Sequence, residues 1–235
     1  MSDARQPESS RSSWPEVAVL IPAFNEQDTV AEVARVALAA NLGPVLVISD
    51  GSQDGTAERA RSAGALVLDL PANVGKGGAV AAGLEAVRSP VVALLDADLV
   101  GLKPEHIIAL VEPVASGVAD TTIGLFSEGR ARTDLAQKIA PYLSGQRAIR
   151  RDVLQRVEGL AGAKYAIELA ITRKLDEENL RVLYVPLPGV AQVMKEEKNG
   201  FWRGARTRVL MYWQILRYAS RANPTKSSRG VKGWR

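Results

Sequence analysis

Between residues 16 and 100 the chain alternates short, uniformly apolar runs with longer stretches of helical spacing. "VAVLIPAF" (17–24), "PVLVIS" (44–49), "ALVLDL" (65–70) and "VVALLD" (91–96) read as strands. "DTVAEVARVALAA" (28–40), "DGTAERARSAG" (54–64) and "KGGAVAAGLEAVR" (76–88) read as helices, the second with Asp54 as N-cap and Gly64 as C-cap. Strands without polar alternation, separated by helices, predict a parallel sheet covered on both faces. The second half is less regular. "VADTTIGLF" (118–126) predicts a strand, "SEGRARTDLAQ" a polar connection, and "SGQRAIRRDVLQRV" (144–157) a lead into a helix. "AKYAIELAITRKLDEEN" (163–179) predicts an amphipathic helix, and "LRVLYVPLPGVAQVM" (180–194) a strand pair or one strand bent at Pro186 and Pro188. The division that follows is a polar arm over 1–15, a main domain over 16–199, a basic amphipathic helix over 200–222 and a flexible basic tail over 223–235.

The strand ends carry the information. "IPAFNE", "SDGSQDGT", "LPANVGKGG" and "DADLV" are polar or glycine-rich. In a parallel sheet, ligands bind beyond the carboxyl ends of the strands, so four such ends on one edge define a binding site. Asp96 and Asp98 close the fourth strand with only Ala97 between them. Strand alternation would turn both carboxylates to one side, where they repel unless something positive lies close by. A divalent cation is one answer, since hard cations take oxygen ligands. A solvated loop is the other.

Composition narrows the chemistry. With 46% apolar residues in 235, the chain can bury a sizeable core. It has no cysteine and one histidine, His106, which is expected at the surface. Thiolate nucleophiles, Cys-based zinc sites and His-dependent triads are therefore excluded, and metal ligands must be mainly oxygens. The opening "MSDARQPESSRSSWPE" lacks the apolar segment of a secretion signal, and no apolar run approaches a membrane span, so the expectation is a cytoplasmic protein. The net charge of +4 hides an asymmetry: residues 193–235 hold 11 Lys/Arg against two Asp/Glu. The anionic partner implied by that excess belongs to the tail.

Two phosphate-binding patterns fail. No glycine follows the first strand, as a dinucleotide fingerprint requires, and "NVGKGGAV" lacks the spacing and hydroxyl of a Walker loop. Taken in order, "VLIPAFNE", "VISDGSQDGT", "NVGKGGAVAAGLEAV" and "LLDADL" instead resemble the motifs of family 2 glycosyltransferases with the GT-A fold. The match is dense over residues 16–125 and looser through "LSGQRAIRR" and "AIELA" to about residue 200. Among subfamilies the chain resembles bacterial polyprenyl-phosphate sugar transferases of the dolichol-phosphate mannose synthase-like kind, and more distantly glucosyl-3-phosphoglycerate synthases. The resemblance implies an α/β three-layer sandwich with a mostly parallel sheet, a nucleoside-diphosphate sugar donor (UDP preferred over GDP) and Mg²⁺ or Mn²⁺. It implies that Pro22, Ala23, Asn25 and Glu26 line the nucleoside pocket and that Asp50 accepts a hydrogen bond from the base. It further implies that Asp98, with Asp96 and Ala97 of the same motif, holds the metal on the diphosphate. Lys76 reads either as a donor contact or as a solvated lysine, while Gly75, Gly77 and Gly78 permit close backbone approach.

On the acceptor side the resemblance points to Gln146, Arg147 and Lys198. Glu168 stands where the family has a glutamate. It is a general base if the acceptor is a hydroxyl, an orienting group if the acceptor is a phosphate, and otherwise one half of a structural ion pair. Relatives often carry Arg or a metal-binding His where this chain has Gln192, a weaker oxygen ligand, and some carry Gln at the position of Val100. Over 200–222, Phe201, Ala205, Val209, Tyr212 and Leu216 form an apolar stripe, and Arg203, Arg206, Arg217 and Arg221 cluster on another side. That pattern suits a helix lying in a membrane interface, or one packed on the main domain with its arginines solvated. Nucleic-acid binding has no other support in the sequence. The expected function is transfer of a sugar, with inversion, to a polyprenyl phosphate at the inner membrane face. A soluble phosphorylated or hydroxyl acceptor is one alternative, and a nucleotide-sugar-binding protein without turnover is another.

Overall fold

The computed structural model describes residues 14–126, 144–163 and 167–193. Lys198, the helix expected over 200–222, the tail over 223–235, the connection over 127–143 and most of the N-terminal arm lie outside the described residues. Strands β1 (Val17–Ala23), β2 (Val45–Asp50), β3 (Leu66–Leu70) and β4 (Val91–Leu94) alternate with helices α1 (Val30–Ala39), α2 (Thr56–Ser62) and α3 (Lys76–Ala86). A short strand β5 (Leu99–Val100), helix α4 (Pro104–Ala115) and strand β6 (Thr121–Phe126) follow. The chain continues with β7 (Arg147–Arg150), α5 (Arg151–Gln155), a 3-10 turn at Leu160–Gly162, α6 (Ile167–Glu177), β8 (Val182–Leu187) and β9 (Ala191–Gln192).

The main sheet has the order β3-β2-β1-β4-β7-β6-β8. All pairings are parallel except those of β7, which runs against β4 and β6. The apolar strands are explained by cores on both faces. Val17, Val19, Ile21 and Ala23 of β1 pack with α1 and α4 on one side, and Ala18 and Leu20 pack with α3, α5 and α6 on the other. In α1 the buried residues Val30, Val33, Ala34 and Ala37 fall at the spacing of one helical face. Trp14, assigned on sequence to the polar arm, is partly buried against the first of these clusters. β3 departs from the expectation: it is an edge strand, and Leu66 is 60% exposed.

Helix α2 ends as the sequence predicts, with Gly64 (φ 94°) just past it, and the N–H groups of Gly64 and Ala65 donate to the carbonyls of Arg61 and Ala60. Its start lies one residue later than expected: Gly55 takes the N-cap position, and Asp54 just before it accepts the N–H of Thr56, the first helical residue, at 3.0 Å. Close approach in α3 has a packing role within the fold: a Cβ on Gly77 would run into the Leu160 carbonyl oxygen, so this glycine lets α3 lie against the 3-10 turn. Among the described residues no helix is long and apolar enough to cross a membrane.

The edge of the sheet opposite the strand carboxyl ends is fastened by Asp120. Its buried carboxylate accepts from the Arg181 backbone N–H and side chain at 2.9–3.1 Å and from Arg150 Nη1 at 3.1 Å, which joins β6, β7 and β8. The hydrogen bonds from the Arg181 side chain outweigh burial and bring the Asp120 carboxyl from its ordinary 3.8 down to about 2. Since the folded-state value is depressed, the contribution is complete above pH 4 and is lost as pH falls towards 2. It amounts to about 2 kcal/mol. Asp120→Asn should therefore cost about 2 kcal/mol at neutral pH by urea unfolding, and the gap to wild type should close between pH 4 and pH 2.

Candidate active site

The carboxyl ends of β1, β2, β3 and β4 lie on one edge, and β7, being antiparallel, begins at that same edge. Arg147 is paired with Leu94 on one side and Ile123 on the other. The loops there are sewn together. Asn25 adopts a left-handed conformation (φ 55°), which asparagine tolerates, and its Oδ1 accepts the Gln53 N–H at 2.9 Å. The N–H groups of Asn25 and Glu26 donate to Ser52 Oγ and Thr56 Oγ1 at 3.1 and 2.8 Å. Pro22 and Ala23 end β1 beside this seam, with Ala23 buried. The Asn25 side chain thus ties the loop after β1 to the loop after β2.

Asp50, at the end of β2, is buried and accepts the N–H groups of Val74 and Gly75 at 2.7 and 2.9 Å. A carboxylate on the amides that open α3 is favoured there by the helix dipole. Each oxygen keeps a further lone pair, so contact with a base stays compatible with this anchoring.

The fourth strand end differs from the expectation. β4 stops at Leu94; the Leu95 N–H donates to the Leu20 carbonyl, and the chain then turns through Ala97 and Asp98 into β5. The two acids therefore lie in a turn, and strand alternation does not set their directions. Asp98 is half-buried and Ala97 buried. Asp96 is 14% exposed in its side chain and is surrounded by donors. Oδ1 accepts from Lys76 Nζ at 2.6 Å, and Oδ2 accepts from Gln146 Nε2 at 2.7 Å and Gln192 Nε2 at 2.6 Å. Lys76 Nζ also donates to Glu168 Oε1 at 2.6 Å.

Charge follows from this contact set. Burial pulls the Lys76 ammonium down, but the carboxylates of Asp96 and Glu168 outweigh it and hold the group well above its ordinary range. Burial pushes Asp96 up, and Lys76, together with the Gln146 amide, more than compensates, so the carboxyl stays below its usual value. Arg147 is 1% exposed; Nη2 donates to the Ser144 carbonyl at 2.9 Å, and buried Nη1 has no hydrogen-bond partner among the described residues. Burial lowers its pKa, against the opposing pull of Glu168 and Asp96.

Several expected site residues therefore meet, in roles the sequence did not disclose. Lys76 is neither solvated nor free to reach a ligand without leaving two acids. Gln146, expected on the acceptor side, is fully buried and spends its amide on Asp96 and on the Ser144 hydroxyl. Gln192 is carried by β9, whose pairing with β5 ties it to the Asp96–Asp98 turn. Glu168 takes part in an ion pair with Lys76. His106 lies apart from the site: its Nδ1 accepts the Lys103 N–H at the start of α4. Gly145 was missed altogether. A Cβ there would lie 2.5–2.6 Å from both Asp96 oxygens and Lys76 Nζ, so the backbone passes directly over the ion pair. Its only signal in the sequence was its place inside "SGQRA".

A mostly parallel sheet covered by helices on both faces, with acids and a buried cation at its carboxyl edge, puts the candidate site where α/β folds bind ligands. Residues 18–167 match the model of glycosyl transferase family 2, and the chain belongs to that family. It is 33% identical over 169 residues to the undecaprenyl-phosphate 4-deoxy-4-formamido-L-arabinose transferase of Klebsiella pneumoniae (strain 342), covering 67% of this chain and 49% of that protein. It is 29% identical over 168 residues to the protein of the same description from Edwardsiella ictaluri (strain 93-146), with the same coverage. The chain thus spans about half the length of these curated relatives. In fold it is similar to glucosyl-3-phosphoglycerate synthase of Mycobacterium tuberculosis in complex with Mn²⁺, UDP and glucosyl-3-phosphoglycerate, with a TM-score of 0.68, 23% identity, and 82% and 79% of the two chains covered. The GT-A-like fold expected from the motifs is the fold observed.

A methyl group at residue 145 must push the loop off the ion pair. Gly145→Ala should lower stability by about 1–3 kcal/mol in urea unfolding. Wild-type stability in that variant would mean that the loop is free to retreat.

Proposed function

We propose that the chain is a metal-dependent glycosyltransferase that moves a sugar from a nucleoside-diphosphate donor, UDP preferred over GDP, to a polyprenyl phosphate. The observation that carries this reading is the edge where Asp98, the Asp96–Lys76–Glu168 cluster and the buried Arg147 meet, beside the loops that end β1 and β2. The names of the curated relatives support the lipid-phosphate acceptor.

In this reading Pro22, Ala23, Asn25 and Glu26 bound the nucleoside pocket, with the seam to Ser52 and Thr56 keeping its wall in place. Asp50 fixes the loop that opens α3 and offers its remaining lone pairs to the base. Ala97, buried in the core between the two acids, anchors the turn that would face the donor. The oxygen-rich donor set, free of Cys and with its one His elsewhere, fits Mg²⁺ or Mn²⁺, which Asp98 would hold with Asp96 and Gln192 alongside. When bound, the metal offsets the charge that grows on the departing nucleoside diphosphate. Arg147, with an N–H group to spare, attracts phosphate oxygens, either those of the donor or those of the acceptor. Lys198, close after β9 in sequence, adds positive charge for the acceptor.

A phosphate acceptor is already anionic at neutral pH, so attack at the anomeric carbon requires no proton removal. Glu168 then orients Lys76 instead of acting as a base, which agrees with the 2.6 Å contact between them. Direct attack inverts the anomeric configuration. The basic segment over 200–222 supplies the contact with the inner face of the membrane, where anionic headgroups and the lipid acceptor are found.

Calorimetric titration with UDP and with GDP, in Mn²⁺ and in chelator, tests the reading. One nucleotide should bind in a metal-dependent way, and Asp98→Ala should lower that affinity by more than about tenfold. Binding of neither nucleotide would remove the proposal. Donor binding with no product on any acceptor would leave a nucleotide-sugar-binding protein, and turnover on a soluble phosphorylated acceptor alone would exclude the lipid.

A further inference from the structure

Outward from Arg147 the sheet presents an apolar surface. Arg147 of β7 is in register with Ile123 of β6, and Ile123 with Tyr184 of β8; Leu125 and Pro186 form the β6–β8 pair two residues nearer the carboxyl edge. Side chains in register share a face. This is the face of α3 and α6, because Ile149, two residues after Arg147, and Val182, two before Tyr184, pack with the core on that side. We propose that the strip formed by Leu125, Tyr184 and Pro186 seats the hydrocarbon chain of a lipid-phosphate acceptor, whose phosphate lies at Arg147 and whose chain runs outward over β6 and β8. This rests on the reading of the site as that of a sugar transferase and deepens it by stating which surface of the protein selects the acceptor.

The change of polarity along this row carries the inference. At its inner end Arg147 is buried, with Nη1 unpartnered among the described residues, and phosphate oxygens satisfy such a group. The charges that act on this guanidinium against burial are those of Glu168, Asp96 and the Tyr184 phenol, which places the tyrosine at the same cation as the two acids. Beyond it the row is apolar: Ile123 is buried, Leu125 half-buried, Tyr184 45% exposed and Pro186 exposed. Val182, one step back on the same face, is partly buried against the core that includes α6, so the uncovered part of β8 begins where the site begins. An exposed apolar strip that starts at a buried cation matches a ligand with an anionic head and a hydrocarbon tail. A strand of another chain suits this edge poorly, because Pro186 has no N–H to donate. A small soluble acceptor would use the cation and leave the strip in water.

Calorimetric titration of the full-length protein with farnesyl phosphate, farnesol and inorganic phosphate, without nucleotide and below the concentration at which the lipid aggregates, tests this. Wild type should bind farnesyl phosphate at least roughly tenfold more tightly than either inorganic phosphate or farnesol. Tyr184→Ser should lose most of the gain over inorganic phosphate, while Tyr184→Phe, which keeps the ring, should retain it; both should bind inorganic phosphate as wild type does. If Tyr184→Ser does not fold, Pro186→Ser decides, with an expected loss of about threefold towards farnesyl phosphate alone. Wild-type affinity for farnesyl phosphate in the folded serine variant, an equal loss towards inorganic phosphate, or farnesol binding as tightly as its phosphate overturns the proposal. A wild-type protein with no preference for farnesyl phosphate over inorganic phosphate overturns it too, and leaves the donor reading in place. Failure of both UDP and GDP to bind would strike the donor reading instead, and the nucleotide-free comparison would still decide the strip.

Discussion

The arrangement at the carboxyl edge depends on one ammonium. Lys76 joins the first turn of α3 to the turn after β4 through Asp96, and to α6 through Glu168. With a side chain only 25% exposed, it stands where breaking the pair would strand two partly buried acids, a cost that exceeds anything an exposed ion pair contributes. The neighbouring elements conform to it. Gly145 gives up its side chain so that the chain passes over the pair, Gln146 is buried to brace Asp96, and Gln192 closes the remaining side.

The rest of the fold frees this edge for chemistry. Two cores, one on each face of the sheet, supply cohesion from Val, Ile, Leu and Ala, so the strand ends need not. The ion pairs that hold β6, β7 and β8 in register gather around Asp120, at the opposite edge. Polar groups at the carboxyl edge are therefore not needed to keep the sheet closed. Arg147 shows the result: at this edge a guanidinium is buried with Nη1 unpartnered among the described residues.

The parallel half of the fold was legible in the sequence because strand and helix there obey simple periods, and the polar strand ends gave away the edge. What was not legible came from contacts between residues far apart in the chain. Asp96 and Gln192 are 96 positions apart, and Lys76 and Glu168 are 92 apart. Periodicity carries no information about such meetings. The two-acid motif suggested that a positive charge lies near, and one does; the sequence did not reveal that it is a lysine. The position where β4 ends was misjudged because Leu95 and Asp96 continue the run of residue types without continuing the ladder. The exposed edge at β3 had no local signal either, since a strand's place in the sheet order is decided by its neighbours.

The antiparallel β7 has one more consequence. It is inserted between β4 and β6, although it follows β6 in the chain, and its first residue is Arg147. Strands β1 to β4 form a local, sequential unit, whereas the carboxyl edge is completed by a segment that follows β6 in the chain. Non-local pairings of this kind raise the contact order and are slow to form. The order of chain growth therefore separates acquisition of a sheet from acquisition of a site. A ribosome-bound chain that has emerged only as far as β6 can hold most of its hydrophobic core and still lack the cation and amide that complete the active edge.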